Sequence, residues 1–163
     1  MSQTDLLVRN NEAYAAGFRK GGLPIQPSRK IAVVACMDAR LDVYRLLGLD
    51  LGEAHVIRNA GGVVTDDVVR SLVISQWLLG TEEIMLIHHT DCGMLTFTDG
   101  DLKKRIEKET GIRPPFAMEA FTELDEDVRQ NINRIKSNPF ILKKDKVRGF
   151  VYDVKTGRLR EVK

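Results

Sequence analysis

The sequence predicts an α/β protein with a central, mainly parallel β-sheet flanked by helices, an N-terminal helical arm and a C-terminal antiparallel edge strand. Three observations carry this expectation. The runs IAVVA (31–35) and EIMLIH (83–88) are short and almost continuously apolar, as strands covered on both faces of a parallel sheet are. Helical patterns alternate with them, which is the rhythm of β-α-β units. The end of the chain, VRGFVYDV (147–154), KTG and RLREV (158–162), reads as a strand, a turn and a short hairpin return.

Taken in order, residues 2–20 carry Leu6, Leu7, Ala13, Tyr14 and Phe18 at three- and four-residue spacings, the pattern of an amphipathic helix ending near Gly21 and Gly22. GGLPIQPS (21–28) is rich in Gly and Pro and reads as a linker, so the division is an arm and linker over 1–28 and a core over 29–163, together one domain. Cys36 directly follows the first strand. A helix is expected from about Leu41, a second strand at AHVIRN (54–59), and a tight turn at NAGG (59–62), where glycines permit positive φ. Thr65 is placed to cap the next helix, Asp66 and Asp67 suit its positive end, and its apolar stretch stops before Gly80, with Trp77 expected in the core. The third strand leads into HTDCGM (89–94). Residues 101–110 and 121–137 read as two further helices with mostly polar faces.

A chain of 163 residues, 43% hydrophobic and 29% charged, lies in the range of one globular domain with one core. Its 25 basic and 23 acidic residues are spread along the chain, so no strong field favours nucleic acid. No apolar run reaches the roughly 18 residues of a spanning helix, and MSQTDLLVRNNEAY lacks the layout of a secretion signal. The expectation is a cytoplasmic protein with no membrane partner, in which Cys36 and Cys92 stay reduced.

Two cysteines and three histidines (His55, His88, His89) are the whole stock for a soft-metal site. A catalytic zinc characteristically takes three protein ligands and keeps a fourth position open. His89-x-x-Cys92 brings two ligands together after one strand, and Cys36 arrives from another, at the strand ends where open α/β sheets place their sites. In Cys36-Met37-Asp38-Ala39-Arg40 an acid and a base follow the first cysteine. A carboxylate there can accept a hydrogen bond from water at the metal, and a guanidinium can hold that carboxylate ionised and oriented. Taken singly, each cysteine is a small buried hydrophobe, His55 a structural or exposed residue, His88 a strand-end residue, and Asp91 a brace for its loop.

CMDAR, RNAGG and HTDCG, in that order, resemble the β-class carbonic anhydrases over about residues 31–154. The resemblance implies zinc bound by Cys36, His89 and Cys92, an orienting Asp38, a locking Arg40, and Gly61 in the substrate pocket. It also implies a homodimer or a dimer-based assembly, in which the stripe Leu6, Leu7, Tyr14, Phe18 forms a subunit contact. The expected reaction is reversible hydration of CO2 to bicarbonate and a proton by zinc-bound hydroxide, formed because zinc lowers the pKa of its water towards about 7. The alternatives are hydrolysis of a related substrate such as carbonyl sulfide, a non-catalytic zinc-stabilised binding domain, and a thiol-redox protein, the last disfavoured by the lack of a C-x-x-C pair.

Overall fold

The computed structural model describes residues 1–163. Its sheet contains β1 (Ile31–Cys36), β2 (Ala54–Asn59), β3 (Glu83–His89), β4 (Val147–Tyr152) and β5 (Leu159–Val162) in the order β2-β1-β3-β4-β5. The first four strands are parallel to their neighbours and β5 returns antiparallel along β4. Five helices connect or flank them: α1 (Gln3–Gly17), α2 (Val43–Leu47), α3 (Asp66–Trp77), α4 (Asp99–Thr110) and α5 (Leu124–Ser137).

The interior strand β1 has no solvent exposure from Ala32 to Ala35. Because side chains alternate across a strand, it feeds two cores rather than the single one expected. Ala32 and Val34 pack with Leu86, Leu72 and Ile135 on the face covered by α3 and α5. Val33 and Ala35 pack with Ile87, Leu41 and Phe121 on the other. The helix α5 buries Val128, Asn131 and Ile135, a one-sided stripe that its many charges conceal in the sequence.

Three expectations need correction. The helix α1 stops at Gly17 and buries none of its residues, although Ser2 and Asp5 close a reciprocal capping box at its start. Residues 41 and 42 precede α2, because the Asp42 side chain accepts from Arg45 N–H and so caps the helix one residue later. Trp77 is 58% exposed. The buried face of α3 runs through Val68, Leu72, Ser75 and Gln76, which turns Trp77 outward, where its indole N–H donates to the Phe140 carbonyl at 2.9 Å. Thr65 caps α3 as expected, accepting from Val68 N–H. No helix is long and apolar enough to cross a membrane.

Candidate metal centre

Cys36 and His89 are the last residues of the neighbouring parallel strands β1 and β3, so the sheet brings both to its carboxyl edge. Beyond His89 the chain passes through Thr90 and then Asp91, whose φ of 56° turns it back and delivers Cys92 to the head of a 3₁₀ turn, Gly93–Leu95. The ligand atoms of Cys36, His89 and Cys92 all lie within 4.8 Å of one another, and all three residues are buried.

The ring of His89 is oriented by its Nδ1, 2.8 Å from the Thr90 carbonyl. That bond makes Nδ1 the N–H and leaves Nε2 bare, buried and without a hydrogen-bond partner. The Cys36 and Cys92 sulfurs lie within 4.8 Å of each other. Interaction with the Cys92 thiol lowers Cys36 well below the ordinary thiol range, with His89 assisting, while the same interaction and burial push Cys92 up.

Asp38 stands beside this group, with Oδ2 3.7 Å from His89 Nε2, too far for a hydrogen bond. Arg40 grips it in a fork, Nε to Oδ1 at 2.9 Å and Nη2 to Oδ2 at 2.8 Å, and that fork holds the Asp38 carboxyl far below the usual carboxylate range. Arg40 also donates from Nη1 to Asp91 Oδ2 at 2.8 Å, so the expected brace at Asp91 acts through this guanidinium.

The group opens into a cavity of about 440 Å3 walled by Met37, Ala60, Met94, Phe97 and Leu102, a mostly apolar surround. Gly61 lines it with φ 83°, and a Cβ there would meet Met94 Cγ at 3.1 Å and Phe121 Cε1 at 3.2 Å. Its neighbour Gly62 is pressed against the β1 backbone, where a Cβ would lie 2.8 Å from Cys36 N. The sequence marks Gly62 only as a turn glycine and gives no role to Arg58, whose Nε donates to the Cys36 carbonyl at 3.0 Å and whose Nη2 donates to the Asp38 carbonyl at 2.7 Å. Both sit within RNAGG, beside Gly61, and a contact across neighbouring strands is what singles them out.

Cys36, Asp38, Gly61, His89 and Cys92 thus share one cavity, and Arg40 reaches Asp38 from outside it. The other histidines lie elsewhere. His88 is fully buried, with Nε2 2.6 Å from Asp127 Oδ2 on α5. His55 is paired through Nδ1 with Ser75 Oγ at 2.7 Å.

A mostly parallel sheet with two thiols and an imidazole converging at its carboxyl edge defines an α/β protein with a donor group able to take a soft metal, open to a small apolar cavity. Residues 31–159 match the family model described as carbonic anhydrase. The chain is 64% identical over 162 residues to beta-carbonic anhydrase 1 of Mycobacterium tuberculosis, covering 99% of both chains. It is 35% identical to a carbon disulfide hydrolase of Acidithiobacillus thiooxidans, covering 98% of this chain and 90% of that one. Among solved structures, the carbonic anhydrase from Streptococcus mutans superposes with a TM-score of 0.94 at 44% identity, covering 100% of this chain and 99% of that one. The chain belongs to the β-carbonic anhydrase family.

Proposed function

We propose that this chain catalyses the reversible hydration of carbon dioxide to bicarbonate and a proton, with a zinc ion held by Cys36, His89 and Cys92. The observation that carries the reading is the bare Nε2 of His89, buried without a partner and within 4.8 Å of two sulfurs. An orphaned buried nitrogen is costly unless something binds it. The donor set fits zinc: two sulfurs that compete for one proton when left to themselves ionise together around a divalent cation, and a histidine that donates its other N–H to a carbonyl is the usual form of an imidazole ligand.

Zinc, when bound there, supplies the Lewis acidity that makes water a nucleophile near neutral pH. The residues of the chain do the rest. Asp38, kept ionised by Arg40, accepts a hydrogen bond from the attacking water and so directs its free lone pair at the carbon of CO2. Met37, Ala60, Met94, Phe97 and Leu102 give an apolar molecule a dry seat. Gly61 keeps the floor of that seat free of a side chain. The proton leaves to buffer.

Hydrolysis of a sulfur analogue such as carbonyl sulfide is the second reading, favoured by the likeness to carbon disulfide hydrolases. The higher identity to a carbonic anhydrase supports CO2. Assays of the zinc-loaded protein on both molecules separate them: robust sulfide release without detectable CO2 hydration would reverse the choice. The same reading makes 29–163 the zinc-binding core, places the protein in the cytoplasm, where free Cys36 and Cys92 stay reduced, and makes it a homodimer or a dimer-based homo-oligomer. The exposed Leu6, Leu7 and Tyr14 of α1 support the dimer, and a monomer mass by light scattering would refute it.

A further inference from the structure

We propose that Arg58 is a positioning residue for this reaction, one guanidinium spanning the carbonyls of Cys36 and Asp38 and thereby aiming both the sulfur ligand and the orienting carboxylate. The inference rests on the functional reading above. Its starting point is the place where β1 leaves the sheet. Pairing of β1 with β3 ends at Ala35 and Ile87, whereas on the β2 side Met37 N–H still donates to the Asn59 carbonyl at 2.8 Å. The segment from Cys36, the last residue of β1, to Asp38 must hold its shape with few backbone partners. Arg58, next to Asn59 on the edge strand β2, lies alongside it and supplies two donors, Nε to the carbonyl of Cys36 at 3.0 Å and Nη2 to that of Asp38 at 2.7 Å.

The peptide bracketed by those two carbonyls is the one that matters. Cys36 contributes its sulfur at one end of this stretch and Asp38 its carboxylate at the other, so the course of the backbone between them sets where both side chains start. The Asp38 carbonyl also accepts from Leu41 N–H at 3.0 Å, closing a turn, while the Asp38 carboxylate is held by Arg40. Arg58 holds the main chain and Arg40 the side chain. A planar fork can reach two carbonyls two residues apart with fixed geometry, which the single ammonium of lysine cannot. Arg58 is exposed, so replacing it opens no hole in either core.

The test compares zinc-loaded wild type with Arg58→Met and Arg58→Lys by kcat and KM for CO2, by hydrogen exchange of the segment 37–41, and by the visible absorption bands of the cobalt-substituted proteins. Arg58→Met is expected to lose about tenfold in kcat with KM within about twofold, the scale on which outer partners of metal ligands act. Its segment 37–41 should exchange at least about tenfold faster and its cobalt bands should move, while Arg58→Lys recovers only part of each. Unchanged exchange in Arg58→Met overturns the proposal whatever happens to kcat, since any loss would then be one of charge alone. Faster exchange with wild-type kcat and cobalt bands also overturns it, because the fork would then hold backbone without aiming the ligands. Full recovery by Arg58→Lys removes the two-carbonyl geometry. A wild type that hydrates no CO2 sinks the functional reading alone, and exchange with the cobalt bands still decides Arg58.

Discussion

Arg40 and Asp91, 51 positions apart in the chain, are joined twice: Nη1 donates to the Asp91 carboxylate at 2.8 Å and Nη2 to its main-chain carbonyl at 3.0 Å. Since the same guanidinium holds Asp38, it ties the loop that continues from Cys36 to the loop that continues from His89 and carries Cys92. Asp91 can offer both groups because its φ is 56°, a left-handed turn that Asp tolerates better than most residues. Asp91→Gly keeps that turn and the carbonyl but removes the carboxylate. It is expected to lower kcat/KM about tenfold while leaving zinc at one per chain, which steady-state kinetics and metal analysis on one sample would check.

Asp38→Ala separates orientation from metal binding. With no ligand atom removed, zinc content and the melting midpoint should stay near wild type, whereas turnover should fall about 100-fold, as expected when a positioned proton-handling group is deleted. Activity equal to wild type would refute the steering role.

Gly61→Ala tests the tightness of the turn. A Cβ at φ 83° costs about 1–2 kcal/mol in backbone energy, and here it also presses on Met94 and Phe121. The melting midpoint should fall by about 2–8 °C by calorimetry, with a loss of activity, because the displaced Met94 lines the cavity.

The pH dependence of stability has an identifiable contributor far from the site. Arg160 on β5 grips Asp125 on α5 through two bonds of 2.8 Å, and its guanidinium lowers the Asp125 carboxyl below the usual range. A depressed folded-state value means that the stabilisation is fully present above the unfolded value of about 3.9 and is lost as pH falls through the lower folded one. The pair is exposed, so the effect is on the order of 0.2–1 kcal/mol. Denaturant titrations of wild type and Asp125→Asn should differ by a constant amount from pH 7 to about pH 5 and converge below about pH 4.

Much of this was legible in the sequence for physical reasons that particular residues show. The run 31–35 has only one stable destination, a strand covered on both faces, and Ala32 to Ala35 occupy it. The grouping of Cys36, His89 and Cys92 could be read because five residues exhaust the soft donors and the strand ends gather three of them. What escaped depends on contacts between segments distant in the chain. Nothing local marks Arg58 as spanning the carbonyls of Cys36 and Asp38, or Gly62 as lying against Cys36 N. Trp77 was misplaced because hydrophobicity alone does not say which side of a helix end meets the sheet, and α5 hid a buried stripe among its charges.

Stopped-flow CO2 hydration, with zinc quantified in the same samples of wild type and Cys92→Ser, tests the metal-centred reading most directly. One zinc per wild-type chain, hydration that rises and falls with zinc content, and a Cys92→Ser protein that has lost most of both are the expected results. Full zinc retention in Cys92→Ser, or one tightly held zinc per wild-type chain with no hydration at any pH, would contradict it.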